Sequence, residues 1–297
     1  MNWIKVPSFA KLNLGLHILE KREDGFHSIE SIFQTISLKD LLYFKLGGEG
    51  IGIKSNNPNL PEGPSNLIYK AANFFKDIET KKIGVEIKID KKIPIGAGLG
   101  GGSSNAAVTL LTLNRLFKYP KKFEELMENA KSLGSDVPFF LKGGTALVKG
   151  RGENIKWEKD IPRLDFLLAI PSFSISTKDA YQMWDDKEKQ DLTNEDLSLI
   201  LHKMQEGEKE ILRELRNSFE EVILSEYPQL KYVMKELNGF KPMNVLLSGS
   251  GPTVYAICGS EKRNYRMGDI KEKQHKLEHC RSVSREEYFN LLKPKED

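Results

Sequence analysis

Residues 93–107, IPIGAGLGGGSSNAA, combine five glycines and two serines immediately before an apolar pattern of helical spacing. Backbone without Cβ atoms lets a ligand approach closely and adopts unusual φ angles at little cost. The helix that follows begins with unpaired N–H groups and the positive end of its dipole, so this stretch favours an anion, with phosphate as the first candidate. Ser103 and Ser104 add hydroxyl donors at the same end.

Glycine-rich stretches also occur in structural loops and in two well-known nucleotide-binding motifs. A flexible loop or a tight crossover would need glycine as much as a phosphate site does, and this alternative stays open. Gly96, Gly98 and Gly101 match G-x-G-x-x-G, but the dinucleotide fingerprint also requires a strand that ends in an acidic residue about 20 positions on, where the helical pattern KKFEELMENA stands instead. A P-loop requires lysine directly before the serine, and position 102 is glycine.

Three more polar residues have the chemistry that phosphoryl transfer needs, namely a cation near the transferring group, a positioning donor and a base. The alternating polarity of residues 11–18 predicts a strand with Lys11 and Asn13 on one face. Asp136 follows a predicted helix that ends at Gly134, and it either caps a turn or accepts a proton from an attacking hydroxyl.

Two further stretches lie on predicted loops. In DGFH, Phe26 and His27 place an aromatic ring beside an imidazole, which suits a stacked and hydrogen-bonded base as well as ordinary packing and solvation. The segment LLSGSGPT at 246–253 predicts a glycine turn between two strands, either a tight hairpin or a second loop at the site.

Composition limits the class of protein. The 45 basic and 42 acidic residues alternate closely, which is typical of solvated helix faces and argues against nucleic-acid binding. No apolar run approaches the about 20 residues of a membrane span, so we expect no membrane partner. Only Cys258 and Cys280 are present, which favours a reducing compartment, and we predict a cytoplasmic protein. No sequence feature indicates the oligomeric state, and the charged segment 261–276 matches no motif.

Strand and helix patterns alternate along the chain. We predict strands around 29–38, 41–46 and 85–90, helices after Ser65 as N-cap, after the glycine stretch and up to Gly134, and a largely helical region over 177–238. A strand at 164–171 follows the charged segment ENIKWEKDIPR, where we expect a domain boundary.

Together these stretches resemble the GHMP kinase superfamily, whose hallmark is a proline followed by a glycine- and serine-rich loop, matched here from Pro94. The agreement is closest with the branch whose acceptor is a methylerythritol alcohol linked to cytidine diphosphate, on the non-mevalonate route to isoprenoids. The stretches that agree in order are AKLNLGL at 10–16, KREDGFH at 21–27, the loop, GSDVPFF at 134–140 and LLSGSGPTVYA at 246–256.

The resemblance implies an α+β fold of two lobes with the active site in the cleft between them. On this basis we expect an N-terminal ATP-binding lobe over 1–158 and a C-terminal substrate-binding lobe over 159–297. The family's activity is transfer of the ATP γ-phosphoryl group to a hydroxyl of the acceptor, with ATP and Mg²⁺ as cofactors and a small cytidine diphosphate compound as partner.

The resemblance also implies a role for each matching residue. Asp136 matches the base, Lys11 the cation beside it, and Asn13 and His27 match residues that contact the substrate. Phe26 stands where tyrosine is common in one wall of the base site, and Tyr181 is the candidate for the opposite wall. The ATP-binding residues would be Pro94, Gly96, Gly98, Leu99, Gly100, Gly101, Gly102, Ser103 and Ser104. The second glycine turn, with Gly249, Ser250 and Gly251, would close the site.

Two alternatives stay open at this point. Another kinase of the superfamily, acting on mevalonate phosphate or homoserine, would share the loop, although DGFH favours a cytosine. A nucleotide-binding sensor would keep the loop and lack catalysis, although the joint presence of Lys11, Asn13 and Asp136 argues against it. The metal ligands do not follow from the sequence.

Overall fold

The computed structural model describes residues 2–75, 84–117, 120–187, 196–259, 275–293 and 295–296. The strands in these ranges are β1 (Ile4–Lys21), β2 (His27–Leu46), β3 (Ile51–Ser55), β4 (Val85–Asp90), β5 (Thr145–Gly150), β6 (Asn154–Trp157), β7 (Asp165–Pro171), β8 (Asn244–Leu247), β9 (Val254–Cys258), β10 (His275–Arg281) and β11 (Lys295–Glu296). The α-helices are α1 (Leu67–Asn73), α2 (Gly101–Leu116), α3 (Phe123–Leu133), α4 (Thr177–Asp185), α5 (Leu197–Glu206), α6 (Phe219–Glu226), α7 (Gln229–Asn238) and α8 (Arg285–Leu291). This mixture confirms the predicted α+β class.

The strands form two sheets. The first has the order β11-β1-β2-β4-β3, and β5 pairs with β2 and with β6. Strand β2 is long enough to pair with β4 along its second half and with β5 along its first half. The second sheet has the order β10-β7-β9-β8 and is antiparallel throughout.

The two sheets and their helices form four layers. One core packs helices α1, α2, α3 and α8 against the first sheet. A second core lies between the sheets, where Leu12 and Leu14 of β1 face Phe166 and Tyr255 of the second sheet. A third core packs α4, α6 and α7 on the far side of the second sheet. Strand β1 is therefore covered on both faces, so its polar residues 11 and 13 are buried rather than solvated.

Two local predictions differ from the structure. Helix α1 begins one residue later than predicted, because the side chain of Asn66, not Ser65, accepts the N–H of Ile68. The two strands predicted over 29–46 form one strand. The register between β1 and β2 shifts between Phe9 and Ala10, so residues 37 and 38 bulge out of the pairing without ending the strand. The predicted end of α3 at Gly134 is confirmed.

The first sheet and the helices packed on it contain segments from both the N-terminal and the C-terminal part of the described sequence. Its last internal strand, β6, ends at Trp157, and β7 of the second sheet begins at Asp165. Helix α8 and strand β11 then return to the first sheet. The lobe boundary after residue 158 stays a prediction, and the charged segment 261–276 lies almost entirely outside the described residues. In the described part of the chain, every helix is too short or too polar to cross a bilayer.

Candidate active site

Lys11 and Asp136 meet at the centre of the site. The Lys11 ammonium lies 3.4 Å from Asp136 Oδ2, donates to Asn13 Oδ1 over 2.5 Å and sits 4.4 Å from the centre of the Phe33 ring. Lys11 is 4% exposed, whereas the side chain of Asp136 is 31% exposed. A buried ammonium is costly without partners, so this pair places a fixed positive charge beside an accessible carboxylate.

Asn13 is held in place by a chain of hydrogen bonds. Its Nδ2 donates to Ser31 Oγ over 2.9 Å, and that hydroxyl donates to the carbonyl of Gly15. The Tyr255 hydroxyl donates to the backbone carbonyl of Asn13 over 2.7 Å. The bond from Nδ2 to Ser31 therefore orients the side-chain amide of Asn13 so that its oxygen faces Lys11.

The glycine loop packs directly on Lys11. The backbone N–H of Lys11 donates to the carbonyl of Leu99 over 3.0 Å, and a Cβ at Gly100 would lie 3.0 Å from Lys11 Cγ. Gly96, Gly98 and Gly100 have φ angles of 68°, 76° and 68°, a region that side chains rarely adopt. The loop can approach the lysine this closely because these positions are glycine.

Helix α2 leaves its first N–H groups without a side-chain partner. Its N-cap is Gly100, which offers no side-chain hydrogen bond, and its first turn contains no acidic residue. Gly102 is exposed and Ser103 is half-buried. Ser104 differs from the expectation of a donor to phosphate, because it is buried with its hydroxyl 2.8 Å from that of Ser8.

The second glycine turn lies against the first. The Ser248 hydroxyl donates to the carbonyl of Gly98 over 3.0 Å. A Cβ at Gly249 would lie 3.2 Å from Asn13 Oδ1 and 3.9 Å from Lys11 Nζ. Beyond it, the hydroxyls of Ser250 and Thr177 are 3.1 Å apart, which joins the turn to the start of α4. Both glycine turns therefore border the Lys11 side chain.

The aromatic residues gather at the other side. The His27 ring stacks on Tyr181 with centroids 5.4 Å apart and planes 8° apart, and its Nε2 lies 3.0 Å from Asp185 Oδ1. Burial and the negative charge of Asp136 raise the pKa of Tyr181 to about 12, so its hydroxyl remains protonated. Phe26 is 56% exposed, with the Arg151 guanidinium 5.1 Å from its ring centre.

One cavity of about 900 Å³ connects these groups. Most of the predicted site residues line it: Lys11, Asn13, Phe26, His27, Pro94, Gly96, Gly98, Leu99, Gly100, Gly101, Gly102, Ser103, Asp136, Tyr181, Gly249 and Ser250. Ser104 and Gly251 do not line it. The cavity has two ends, one at the glycine loop and one at the aromatic residues, with the Lys11–Asp136 pair between them.

Comparison with known proteins identifies the family. Two models match, described as the GHMP kinases N terminal domain over residues 66–144 and GHMP kinases C terminal over residues 192–271. A 4-diphosphocytidyl-2-C-methyl-D-erythritol kinase of Caldanaerobacter subterraneus subsp. tengcongensis is 38% identical, over 89% of this chain and 91% of its own length. The chain belongs to the 4-diphosphocytidyl-2-C-methyl-D-erythritol kinase family.

Other comparisons agree with membership of this kinase family. A relative from Clostridium tetani with the same name is 39% identical over 86% of this chain and 90% of its own length. A crystal structure of a 4-(cytidine 5'-diphospho)-2C-methyl-D-erythritol kinase matches with a TM-score of 0.80 at 30% identity, over 94% of this chain and 99% of that one. Mevalonate kinase of Methanococcus jannaschii, at 17% identity, shares the fold with a TM-score of 0.69. The predicted GHMP kinase fold is thus confirmed.

The polar residues that line the cavity of this kinase and that the sequence did not reveal include Asp185 and Lys91. Asp185 bonds His27 and also accepts from Lys21 over 2.6 Å; its position one helical turn after Tyr181 on α4 was the available signal. Lys91 lines the cavity near the start of α2 while bonded to buried Asp40. Burial lowers the pKa of Lys91, and the Asp40 carboxylate opposes that change.

A metal site built by the protein alone requires several carboxylate, imidazole or thiolate side chains in one group. Among the described residues of this kinase, no three His, Cys, Asp or Glu side chains form a group that could hold a metal ion.

Proposed function

We propose that the protein transfers the γ-phosphoryl group of ATP to the 2-hydroxyl of 4-diphosphocytidyl-2-C-methyl-D-erythritol, a step of the non-mevalonate route to isoprenoid precursors. The relatives that carry this substrate in their names match along nearly their whole length. The observation that carries the proposal is the position of the Lys11–Asp136 pair between a glycine loop suited to phosphates and an aromatic end suited to a base.

Asp136 acts as the base in this proposal. Its carboxylate accepts the proton of the 2-hydroxyl as the hydroxyl oxygen forms its bond to the γ-phosphorus. The bond from that phosphorus to the oxygen bridging to ADP breaks, and ADP leaves with the electron pair. The exposure of Asp136 to the cavity supports this role, since a base must reach the proton that it removes.

Lys11 stabilises the charge that develops during the transfer. Its ammonium is buried and fixed by Asn13, so little reorganisation is needed when negative charge builds on the phosphoryl oxygens. The same ammonium faces Asp136 and orients its carboxylate. Asn13 lies next to both groups, and we assign it to positioning the acceptor.

The ATP phosphates are assigned to the glycine loop, from Gly96 to Ser103. The loop contains no lysine, so its backbone N–H groups and the α2 dipole provide the protein's share of the attraction. Magnesium typically keeps several waters and binds through substrate phosphates with few protein ligands, which fits a cavity lacking an acidic cluster in the described residues. The Ser103 hydroxyl is the loop oxygen that would join it, and the ion would neutralise charge on the β- and γ-phosphates.

The cytosine is assigned to the aromatic end. The Nε2–Asp185 contact favours a proton on Nε2 and leaves Nδ1 of His27 as an acceptor for the exocyclic amino group of cytosine. Phe26 and Tyr181 offer the two ring surfaces for stacking. Phe26 lacks the hydroxyl of the more common tyrosine, so this wall contributes contact area and no hydrogen bond.

Cellular location follows from the same assignment. We propose that the kinase works in the cytoplasm, where ATP is available. Its two cysteines, Cys258 and Cys280, lie in different cores of the second sheet, an arrangement that needs no oxidising environment.

The test is ADP release by the purified protein with MgATP and three acceptors: 4-diphosphocytidyl-2-C-methyl-D-erythritol, mevalonate phosphate and homoserine. We expect turnover with the cytidine compound alone, and phosphorus NMR of the product should show a new phosphomonoester on the 2-oxygen. A reaction without acceptor measures background ATP hydrolysis.

Two outcomes would contradict the proposal. Faster turnover with homoserine or mevalonate phosphate would assign the protein to another branch of the GHMP kinases. Tight binding of MgATP without turnover of any acceptor would indicate a nucleotide sensor.

A further inference from the structure

One buried carboxylate holds both flanks of the glycine loop. Asp40 lies on β2 and is 0% exposed. Its Oδ1 accepts the backbone N–H groups of Lys92 and Ile93, at 2.7 and 2.8 Å, where the chain enters the loop. Its Oδ2 accepts Asn105 Nδ2 at 2.9 Å, on α2 where the chain leaves the loop, and Lys91 Nζ at 2.6 Å.

Hydroxyl groups extend this connection into the first sheet. Asn105 Nδ2 also donates to Ser8 Oγ over 2.8 Å, and Ser104 Oγ lies 2.8 Å from the same hydroxyl. Ser8 is the residue paired with Asp40 across strands β1 and β2. The start of α2 is thereby bonded to β1, the strand that carries Lys11, and to its neighbour β2.

The loop between these two anchored points needs such support. Three of its glycines have left-handed φ angles, and free glycine samples many other conformations. A loop that must be ordered on binding loses affinity, whereas a loop already held in its bound shape does not. Asp40 joins positions 92 and 105, one on each side of the loop, through a single side chain.

The Asp40 carboxylate also holds the Lys91 ammonium beside the glycine loop. A Cβ at Gly101 would lie 3.0 Å from Lys91 Nζ, so this ammonium sits at the first turn of α2. Asp40 is its ion-pair partner, and the Lys91 side chain is only 3% exposed. Removing the carboxylate would leave the Lys91 ammonium buried next to the loop without its ion-pair partner, and the Lys91 side chain could then move.

We infer that Asp40 is a positioning residue for the nucleotide: it fixes the entry and exit of the glycine loop so that the backbone N–H groups are arranged for phosphates before ATP arrives. The inference rests on the proposed function of the loop in ATP binding. Asp40 does not line the cavity, so it acts through the loop and not by contact with substrate.

Two variants break the connection in different ways. Asn105→Ala removes the exit arm and leaves no unpaired charge, because Asp40 keeps its three other donors. Asp40→Asn keeps the shape of the side chain. Both oxygens of Asp40 accept hydrogen bonds, so the amide NH₂ of asparagine would face at least one group that now donates to Asp40. Thr109→Val is the matched control, since it removes a buried hydrogen bond one turn further along α2, from Thr109 Oγ1 to the carbonyl of Asn105.

The measurements are KM for ATP, KM for the cytidine acceptor, kcat, the affinity for MgADP by calorimetry, and the melting temperature. We expect Asn105→Ala to raise KM for ATP and the dissociation constant of MgADP about tenfold, equivalent to about 1.4 kcal/mol. Asp40→Asn should raise both further. The acceptor KM should stay within twofold in both variants, and Thr109→Val should lower the melting temperature without changing either KM.

Equal increases in both KM values, or a lower melting temperature with unchanged MgADP affinity, would overturn the inference and leave Asp40 a purely structural residue. Because Asn105→Ala introduces no buried charge, it decides the question even if Asp40→Asn does not fold. Failure of the proposed function is distinguishable, since wild-type protein would then bind no MgADP or phosphorylate none of the acceptors.

Discussion

The contact between the two glycine turns makes Gly98 the most sensitive position of the loop. A Cβ at Gly98 would lie 2.2 Å from the carbonyl oxygen of Ser248 and 3.0 Å from that of Gly251, whereas ordinary contact begins at 3.4 Å. Both obstacles are backbone atoms and cannot rotate away. Gly98→Ala therefore forces the two turns apart by more than about 1 Å.

The free energy of unfolding should fall by at least about 2 kcal/mol in this variant. A side chain at a left-handed φ costs about 1–2 kcal/mol, and loss of the Ser248–Gly98 hydrogen bond costs about 1 kcal/mol more. Residual overlap with the carbonyl adds to this. At about 2 °C per kcal/mol for a chain of this size, the melting temperature should fall by about 4 °C or more.

Gly102→Ala provides the comparison within the same loop. Gly102 is helical, and its nearest neighbour for a Cβ is Leu67 Cδ1 at 3.8 Å, an ordinary contact. Because alanine is favoured over glycine in helices by about 1 kcal/mol, this variant should melt about 2 °C higher than wild type. Thermal unfolding followed by circular dichroism measures both variants. If Gly98→Ala melted as high as Gly102→Ala, the reasoning from the contact between the turns would be refuted.

Three further predictions concern the site and its surroundings. Asp136→Asn should lower kcat at least about 100-fold in the ADP-release assay while the calorimetric MgADP affinity changes little, because it removes a base and no phosphate contact; near-normal turnover would exclude Asp136 as the base. His27→Ala should weaken binding of the cytidine acceptor far more than of ATP, with the exposed His202→Ala as control, and equal losses for both ligands would remove His27 from the base site. Burial raises the pKa of Glu220 from 4.5 to about 7, so its stabilising contribution is complete below pH 4.5 and is lost as the pH rises through 7. Glu220→Gln keeps an acceptor for the Leu247 N–H. At pH 8 this variant should therefore have a higher melting temperature and a free energy of unfolding that is larger by at most about 3 kcal/mol, whereas at pH 4.5 both should be unchanged. An equal change at both pH values would contradict this.

Features with a local pattern could be predicted from the sequence. Glycine density before a helical pattern marked the loop, because φ freedom and the helix terminus are properties of a short stretch. The period of two placed Lys11 and Asn13 on one face, and the structure joins them through a hydrogen bond. Their burial was not predictable, since the face that they share is covered by distant segments, namely the two glycine turns and Phe33, while the second sheet covers the opposite face with Leu12 and Leu14.

Contacts between distant segments escaped the sequence. Asp40 lies in a stretch that reads only as the break between two strands, yet it bonds residues 91, 92, 93 and 105. Asp185 contacts the site only because α4 packs beside His27 in the folded protein. In both cases the carboxylate is ordinary in its own segment, and its partner is more than 50 positions away along the chain.

Helix α8 supports the segment that carries Asp136 from outside the cavity. The buried ring of Tyr288 packs on Phe9, and its hydroxyl donates to the carbonyl of Phe140, four residues after Asp136. Arg285 of the same helix bonds the carbonyls of Thr145 and Glu158. The segment that carries the proposed base is thus held by residues about 150 positions further along the chain. A chain without α8 would lose these contacts, so phosphoryl transfer should require this helix although none of its residues lines the cavity.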